Sequence, residues 1–347
     1  MDQVSAPTPL RDAVDRPKPK GVSPNRAAGI RLALVAALLW GWLPIALSAL
    51  LDQLDAITIT WTRFTMAALV QNLWLLRIGR SPWPWRGDRR NTIVAVVAAC
   101  TLIGNYVLAA SSLHFLTPDA SILVAQAQPL LLVLAGSLFF GERLSRAQGV
   151  GVALLAIGLL MFFHRSVAAL IVPAFPHVTG VGTGVALAFG GAVSWAAYAI
   201  LQRMLRRAFS PQQTLALLYA AASLLLWPWA RPSSVLALDT PGVCLLAFCI
   251  ANTLLAYGAF AQAMAHTSAA VVGAIIAQSP LVTIATLASI AAVLPDTEVG
   301  RASLTPLALF GVLLVVGGCT LCVRARHHGR AERASSVRDD IPGIHSA

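Results

Sequence analysis

The sequence predicts an all-α membrane protein whose ten transmembrane helices form two inverted five-helix repeats. Three observations carry that reading. The chain has 347 residues, of which 57% are hydrophobic and only 11% charged, against about 25% charged residues in a soluble globular protein. Its apolar residues gather into ten runs, and much of the pattern of the first five returns about 150 residues later. Its basic residues alternate between connections, as the positive-inside rule requires of a chain that crosses the membrane repeatedly.

Residues 1–27 are polar, carry Pro7, Pro9, Pro17, Pro19 and Pro24, and mix charges of both signs, the composition of a disordered tail. They hold no short apolar run with a small-residue cleavage site, so they are not a secretory signal peptide, and the first span serves as its own insertion signal. The apolar runs lie at about 28–50, 57–76, 92–113, 119–140 and 147–163 in the first half. Those of the second half lie at about 183–202, 213–230, 243–265, 268–293 and 305–323. The uncharged core of span 4, Ala120 to Phe140, is 21 residues long, about 32 Å of helix and enough to cross the hydrocarbon. Span 5 is shorter and borrows from its flanks. Residues 164–182 form an external linker whose apolar Val167–Val172 reads as a short interfacial helix. Residues 324–347 form a second disordered tail.

With the N-terminus in the cytoplasm, the inside segments hold 21 of the 25 Lys and Arg residues. Arg165, Arg231 and Arg301 fall outside, Arg63 falls within a span, and Asp52, Asp55, Asp119, Asp239, Asp296 and Glu298 gather outside. A miscount of one span would split these groups, so both termini are cytoplasmic. The net charge of +11 is therefore a matter of topology and gives no reason to expect a nucleic-acid partner. Trp83 and Trp85, beside the Arg-rich inner connection, read as part of an interfacial belt.

The repeat is visible in matched spacings. Tyr106 to Pro129 is 23 residues, as is Tyr257 to Pro280; Gly151 to Gly158 is seven, as is Gly311 to Gly318; Gly29 to Trp40 is eleven, as is Gly184 to Trp195. Five spans is an odd number, so the second half enters the membrane with the opposite orientation. Two such halves can rock about a central site, the logic of alternating access. The glycines let helices approach closely. Cys100, Cys244, Cys249, Cys319 and Cys322 all lie in apolar runs; without a second ligand pair they read as packing residues, and no metal or cofactor is expected.

In lipid, polar side chains are the informative ones. The candidate substrate-binding residues are the amides Asn105, Gln126, Gln128, Asn252 and Gln278, with the mid-depth aromatics Trp40, Tyr106, Trp195, Tyr198 and Tyr257. Each can instead be packing or an interhelical hydrogen bond. Pro129 and Pro280 are candidate hinges, since a proline frees the carbonyl four residues before it, here Ala125 and Ile276. Arg63 is a candidate gate, paired with Asp52, Asp55 or Asp119 at the outer face; snorkelling to that interface is the alternative. No Asp or Glu lies deep in a span, and His114, Asp119 and His266 sit at helix ends. That favours facilitated transport or exchange of a zwitterionic or weakly polar molecule. It also argues against an enzyme, which would need grouped catalytic residues at depth. A sensory or structural membrane protein without flux is the alternative from another class.

Several motifs resemble the EamA-like domain of the drug/metabolite transporter superfamily. They are the Leu-Trp-Gly ending at Gly41, Trp-Thr-Arg-Phe at Trp61–Phe64, the central Pro129, Gly-Glu-Arg-Leu at Gly141–Leu144, and the glycine pair Gly151–Gly158. The second half keeps Pro280 and Gly311–Gly318 but lacks the Gly-Glu-Arg corner, has an insertion at 294–304, and carries Leu218 where Arg63 would recur. The resemblance implies repeats at 28–163 and 183–323 and a cavity lined by spans 1, 3, 4, 6, 8 and 9. It also implies inner-membrane transport, often export, of amino acids, nucleotides, sugars, drugs or other metabolites. The implied partners are a small-molecule substrate and the lipid bilayer; a homodimer is one open option for the oligomeric state.

Overall fold

In lipid the hydrophobic effect does not pull helices together, so packing depends on small residues that let backbones approach. The computed structural model follows that rule. It describes residues 25–81, 89–128, 131, 134, 145–164, 180–205, 208–267, 269–293 and 305–321. Alanines such as Ala33, Ala36, Ala98, Ala216 and Ala263 are fully buried, while Leu69, Leu73, Leu160, Leu224, Leu255 and Leu313 are exposed. A belt of exposed large apolar side chains fits a lipid solvent.

Every regular element among the described residues is helical. The first half comprises α1 (Arg26–Leu50), α2 (Ala56–Arg77), α3 (Arg89–Ser112), α4 (Pro118–Ala125) and α5 (Arg146–Phe162). The second comprises α6 (Val181–Leu205), α7 (Pro211–Leu226), a short α8 (Pro232–Leu236), α9 (Thr240–His266), α10 (Ala269–Ile276) and α11 (Ser279–Val293). It ends with α12 (Pro306–Leu321). Side chains cap the starts: Asp55 accepts from the Thr58 N–H, Asp239 from the Gly242 N–H, and Ser145 with Gln148 and Ser210 with Gln213 form capping boxes.

Five stretches are long and apolar enough to cross a bilayer: Arg26–Leu50, Arg89–Ser112, Val181–Gln202, Thr240–Met264 and Val271–Val293. α5 and α12 are apolar but shorter. Two runs read as continuous spans are broken instead. Span 9 divides into α10 and α11 at a turn over Ala277 and Gln278; span 4 turns at Gln126 before helix resumes at Ala127. The tails, Trp83, Trp85, Pro129, the Gly-Glu-Arg-Leu corner, the segment Val167–Val172, the insertion at 294–304 and Cys322 lie outside the described residues.

The halves interlock by exchange. α1 packs on α9 and α3 on α6, so the first long helix of each half meets the third span of the other; α2 packs on α7. Equivalent residues meet: the Phe64 and Tyr219 rings stack with centroids 5.7 Å apart. α5 crosses α12 with Gly151 against Gly318 and Gly158 against Gly311, so the two helices run antiparallel. A Cβ at Gly158 would lie 2.5 Å from the Gly311 carbonyl oxygen, and one at Gly318 would lie 2.5 Å from that of Gly151. Gly151 corresponds to Gly311 and Gly158 to Gly318, so this contact maps onto itself when the halves are exchanged, the self-complementary pattern of a two-fold interface.

Candidate functional site

Three helices lose a backbone hydrogen bond or a turn of helix beside one another, at Pro44, Ala125 and Ile276. α1 contains Pro44, which has no N–H to offer the Trp40 carbonyl. Neighbouring side chains bond the carbonyls on either side: Asn252 Nδ2 donates to Leu39 O, and Thr283 Oγ1 donates to Gly41 O at 2.6 Å. At the α10–α11 break, Pro280 leaves the Ile276 carbonyl without its helical donor. The Ser279 hydroxyl takes that role at 2.7 Å, while Gln278 Nε2 donates to Ala274 O at 3.1 Å. α4 ends at Ala125, the position equivalent to Ile276, and the Gln126 N–H turns back to Leu123 O.

A cavity of about 380 Å³ lies beside these breaks, within the range of small-molecule sites. From the first half it takes Arg63, Asn105, Tyr106, Ala125, Gln126 and Gln128, with Trp40 and Pro44 from α1. From the second it takes Trp195, Asn252, Tyr257, Phe260, Ile276, Ala277 and Ser279. Trp40 meets Tyr257 edge-on at 5.4 Å and Phe260 at 5.7 Å, an aromatic wall. Gln128 Nε2 reaches Asn105 Oδ1 at 3.4 Å. Tyr106 and Tyr257, equivalent in the two halves, approach through their hydroxyls.

The structure thus brings together Trp40, Asn105, Tyr106, Gln126, Gln128, Trp195, Asn252 and Tyr257. It leaves two candidates out of the wall. Tyr198 is buried in the cluster that holds Leu205, Leu218 and Tyr219, and the Gln278 amide is held by its own helix. Pro280 is buried in the first turn of α11 and is not among the lining residues.

Arg63 differs most from its expectation. It is 3% exposed, donates from Nε to Thr253 Oγ1 at 3.0 Å, and lies 4.7 Å over the Tyr106 ring. Its partners are a hydroxyl and a ring on neighbouring helices, where the sequence suggested Asp52, Asp55 or Asp119. Asp55 is held at the start of α2 by Thr58. Asp119 stands at a helix end as read, yet it is 1% exposed, and its Oδ1 has no hydrogen-bond partner among the described residues. Pro44, Thr253, Phe260 and Ser279 escaped the sequence reading. Pro44 was within reach of the rule applied to Pro129 and Pro280, since it follows Trp40 by four. The others gave no signal without knowing which helices touch.

Crossing-length apolar helices in two interlocked halves, with a largely apolar cavity carrying a few polar side chains between helices broken at equivalent positions, define a membrane transporter built on a repeat. The chain belongs to the EamA-like transporter family, whose model matches residues 27–164 and again 182–324. This places it in the drug/metabolite transporter superfamily. It is 36% identical over 298 residues to the uncharacterized inner membrane transporter YhbE of Escherichia coli K12, covering 84% of this chain and 89% of that one. An uncharacterized transporter of Haemophilus influenzae is 31% identical over 293 residues, covering 84% and 94% of the two chains. A solved crystal structure superposes with a TM-score of 0.58 at 23% identity, over 88% of this chain and 99% of the other; that likeness is one of fold.

Proposed function

We propose that the protein carries a small metabolite across the inner membrane by alternating access, as an exporter of an amino acid, a similar polar or zwitterionic compound, or a drug. In this reading ten spans form two inverted repeats, both termini are cytoplasmic, and no chemical step is catalysed. The inner-membrane assignment draws on the name of the E. coli relative; the antiparallel, reciprocal crossing of α5 and α12 supports the inversion. The observation that carries the reading is the pair of equivalent breaks, after Ala125 and after Ile276, facing one cavity. Interrupted helices in corresponding places of two repeats are where transporters bind their cargo.

Asn105, Tyr106, Gln126 and Gln128 contact the substrate from the first half, and Trp40, Trp195 and Tyr257 shape its apolar surroundings. The Asn252 amide serves α1 through Leu39, so its part is positional. Pro129 and Pro280 let spans 4 and 9 change direction as the halves rock. The test is uptake and counterflow of a labelled metabolite panel, amino acids first, in proteoliposomes with and without a proton gradient. Saturable flux that Gln126→Ala diminishes in well-folded protein is the expected result. No flux for any member of a broad panel would sink the transporter reading.

A further inference from the structure

We propose that Arg63 is the anion-binding group of the cavity, and that the substrate is an organic monoanion, a carboxylate on an apolar body. The inference rests on the transporter reading above and narrows its substrate class. Among the described residues that line the cavity, Arg63 is the one that is charged. It lines the same cavity as the helix breaks after Ala125 and Ile276 and is 3% exposed.

A guanidinium buried this far is costly unless an opposite charge or several acceptors compensate it. The described residues supply one acceptor, Thr253 Oγ1, and it takes Nε. The acidic residues of the outer side are spent or turned elsewhere: Asp55 on Thr58 and Asp239 on Gly242, with no ion pair from Asp119 to Arg63 among the described residues. The two terminal nitrogens therefore remain for a ligand. Tyr106 beneath the guanidinium and Thr253 at its Nε fix the plane of the fork, and the end-on edge formed by its two terminal NH2 groups matches a carboxylate in bidentate geometry.

The rest of the cavity argues for a single anionic group. The amides of Asn105, Gln126 and Gln128 can support one carboxylate but carry no charge. Trp40, Tyr257 and Phe260 form an apolar aromatic wall that would leave a second carboxylate unpaired. A molecule with its carboxylate on Arg63 and its apolar body against that wall satisfies both ends.

The probe pair is 3-phenylpropionate and its neutral amide, 3-phenylpropionamide, titrated by calorimetry into the purified full-length protein in detergent. The acid is expected to bind at least tenfold more tightly than the amide. Arg63→Gln should erase the preference, and Arg63→Lys should keep part of it. The amide partitions into detergent more readily than the anion, so micelle uptake cannot produce the expected preference. Equal binding of acid and amide, or no binding of either up to millimolar concentration, overturns the proposal from the wild-type protein alone, whether or not the variants fold. Counterflow with the same pair separates the two readings. Binding of the acid without flux sinks the transporter reading and leaves the anion site standing. Flux of the amide but not the acid does the reverse.

Discussion

After α4 the chain turns at Gln126 and runs on to Gln128; at the equivalent place after α10 it turns through Ala277 and Gln278 and runs on to Ser279. Both turns face the same cavity. Across the cavity α2 offers Arg63, while the corresponding residue of α7 is Leu218, fully buried in an apolar cluster. Elsewhere the halves agree: Trp40 with Trp195, Tyr106 with Tyr257, Gly151 with Gly311 and Gly158 with Gly318. What a two-fold scaffold needs occurs twice, namely close helix crossings, helix breaks beside the cavity and aromatics around it. The polar groups of the proposed site mostly occur once, as a small metabolite without two-fold symmetry would require. The first half supplies most of the polar chemistry, and the second supplies apolar wall and backbone support.

The strongest test of the shared scaffold is the glycine crossing. Gly158→Leu and Gly311→Leu each drive a side chain into the opposite backbone, which has nowhere to move. Each should cost about 3 kcal/mol or more of overpacking and be seen as loss of a monodisperse peak and a large drop in thermal midpoint. Because the contact is reciprocal, the two variants should fail alike. Gly149 and Gly317 have nothing within 4 Å of an added Cβ, so alanine at either should leave the midpoint within experimental error. If Gly158→Leu were tolerated while Gly311→Leu was not, the two-fold account of the crossing would be wrong.

The next test bears on the division of chemistry. Gln126→Ala and Gln128→Ala should each weaken substrate binding about tenfold, about 1.4 kcal/mol, with little change in stability. Ser279→Ala, at the position equivalent to Gln128, should do the opposite. It removes the donor to Ile276 O and lowers stability, while binding changes less than twofold. Binding isotherms beside melting curves for the three variants decide it. Equal losses of affinity in both halves would mean that the substrate is held symmetrically.

Most of the scaffold was legible in the sequence, because lipid restricts the vocabulary. Membrane-crossing helices, the repeat and the small-residue crossings follow from hydropathy and spacing, and eight of the ten substrate candidates line the cavity. What was not legible depended on which helices touch. Arg63 looked like a partner for outer aspartates because the sequence places it on the same side as they are. Only the packing of α2 on α9 delivers Thr253 to its Nε. Tyr198 shares a helix with Trp195 but is buried in the apolar cluster with Leu205, Leu218 and Tyr219. Gln278 was a candidate substrate-binding amide two residues before Pro280, yet it folds back on its own helix through Ala274 O while Ser279 reaches Ile276 O. Asp119 was correctly placed at a helix end, but burial depends on what covers the end.

The smallest expected effects come from α1 around Pro44, where the second half supports the first. Thr283→Val removes the hydroxyl that donates to Gly41 O while keeping the side-chain volume, and Asn252→Ala removes the amide that donates to Leu39 O. Interhelical hydrogen bonds in membranes are worth about 0.6 to 2 kcal/mol each, so each variant should lower the thermal midpoint slightly and leave a folded protein. Both bonds hold carbonyls flanking the one that Pro44 leaves free, on the same short stretch of helix, so the losses should not be independent. The double variant should lose less or more than the sum of the singles by a measurable coupling energy. If the two effects added without coupling, α1 around Pro44 would be rigid on its own, and the second half would not be holding α1 in shape beside the cavity.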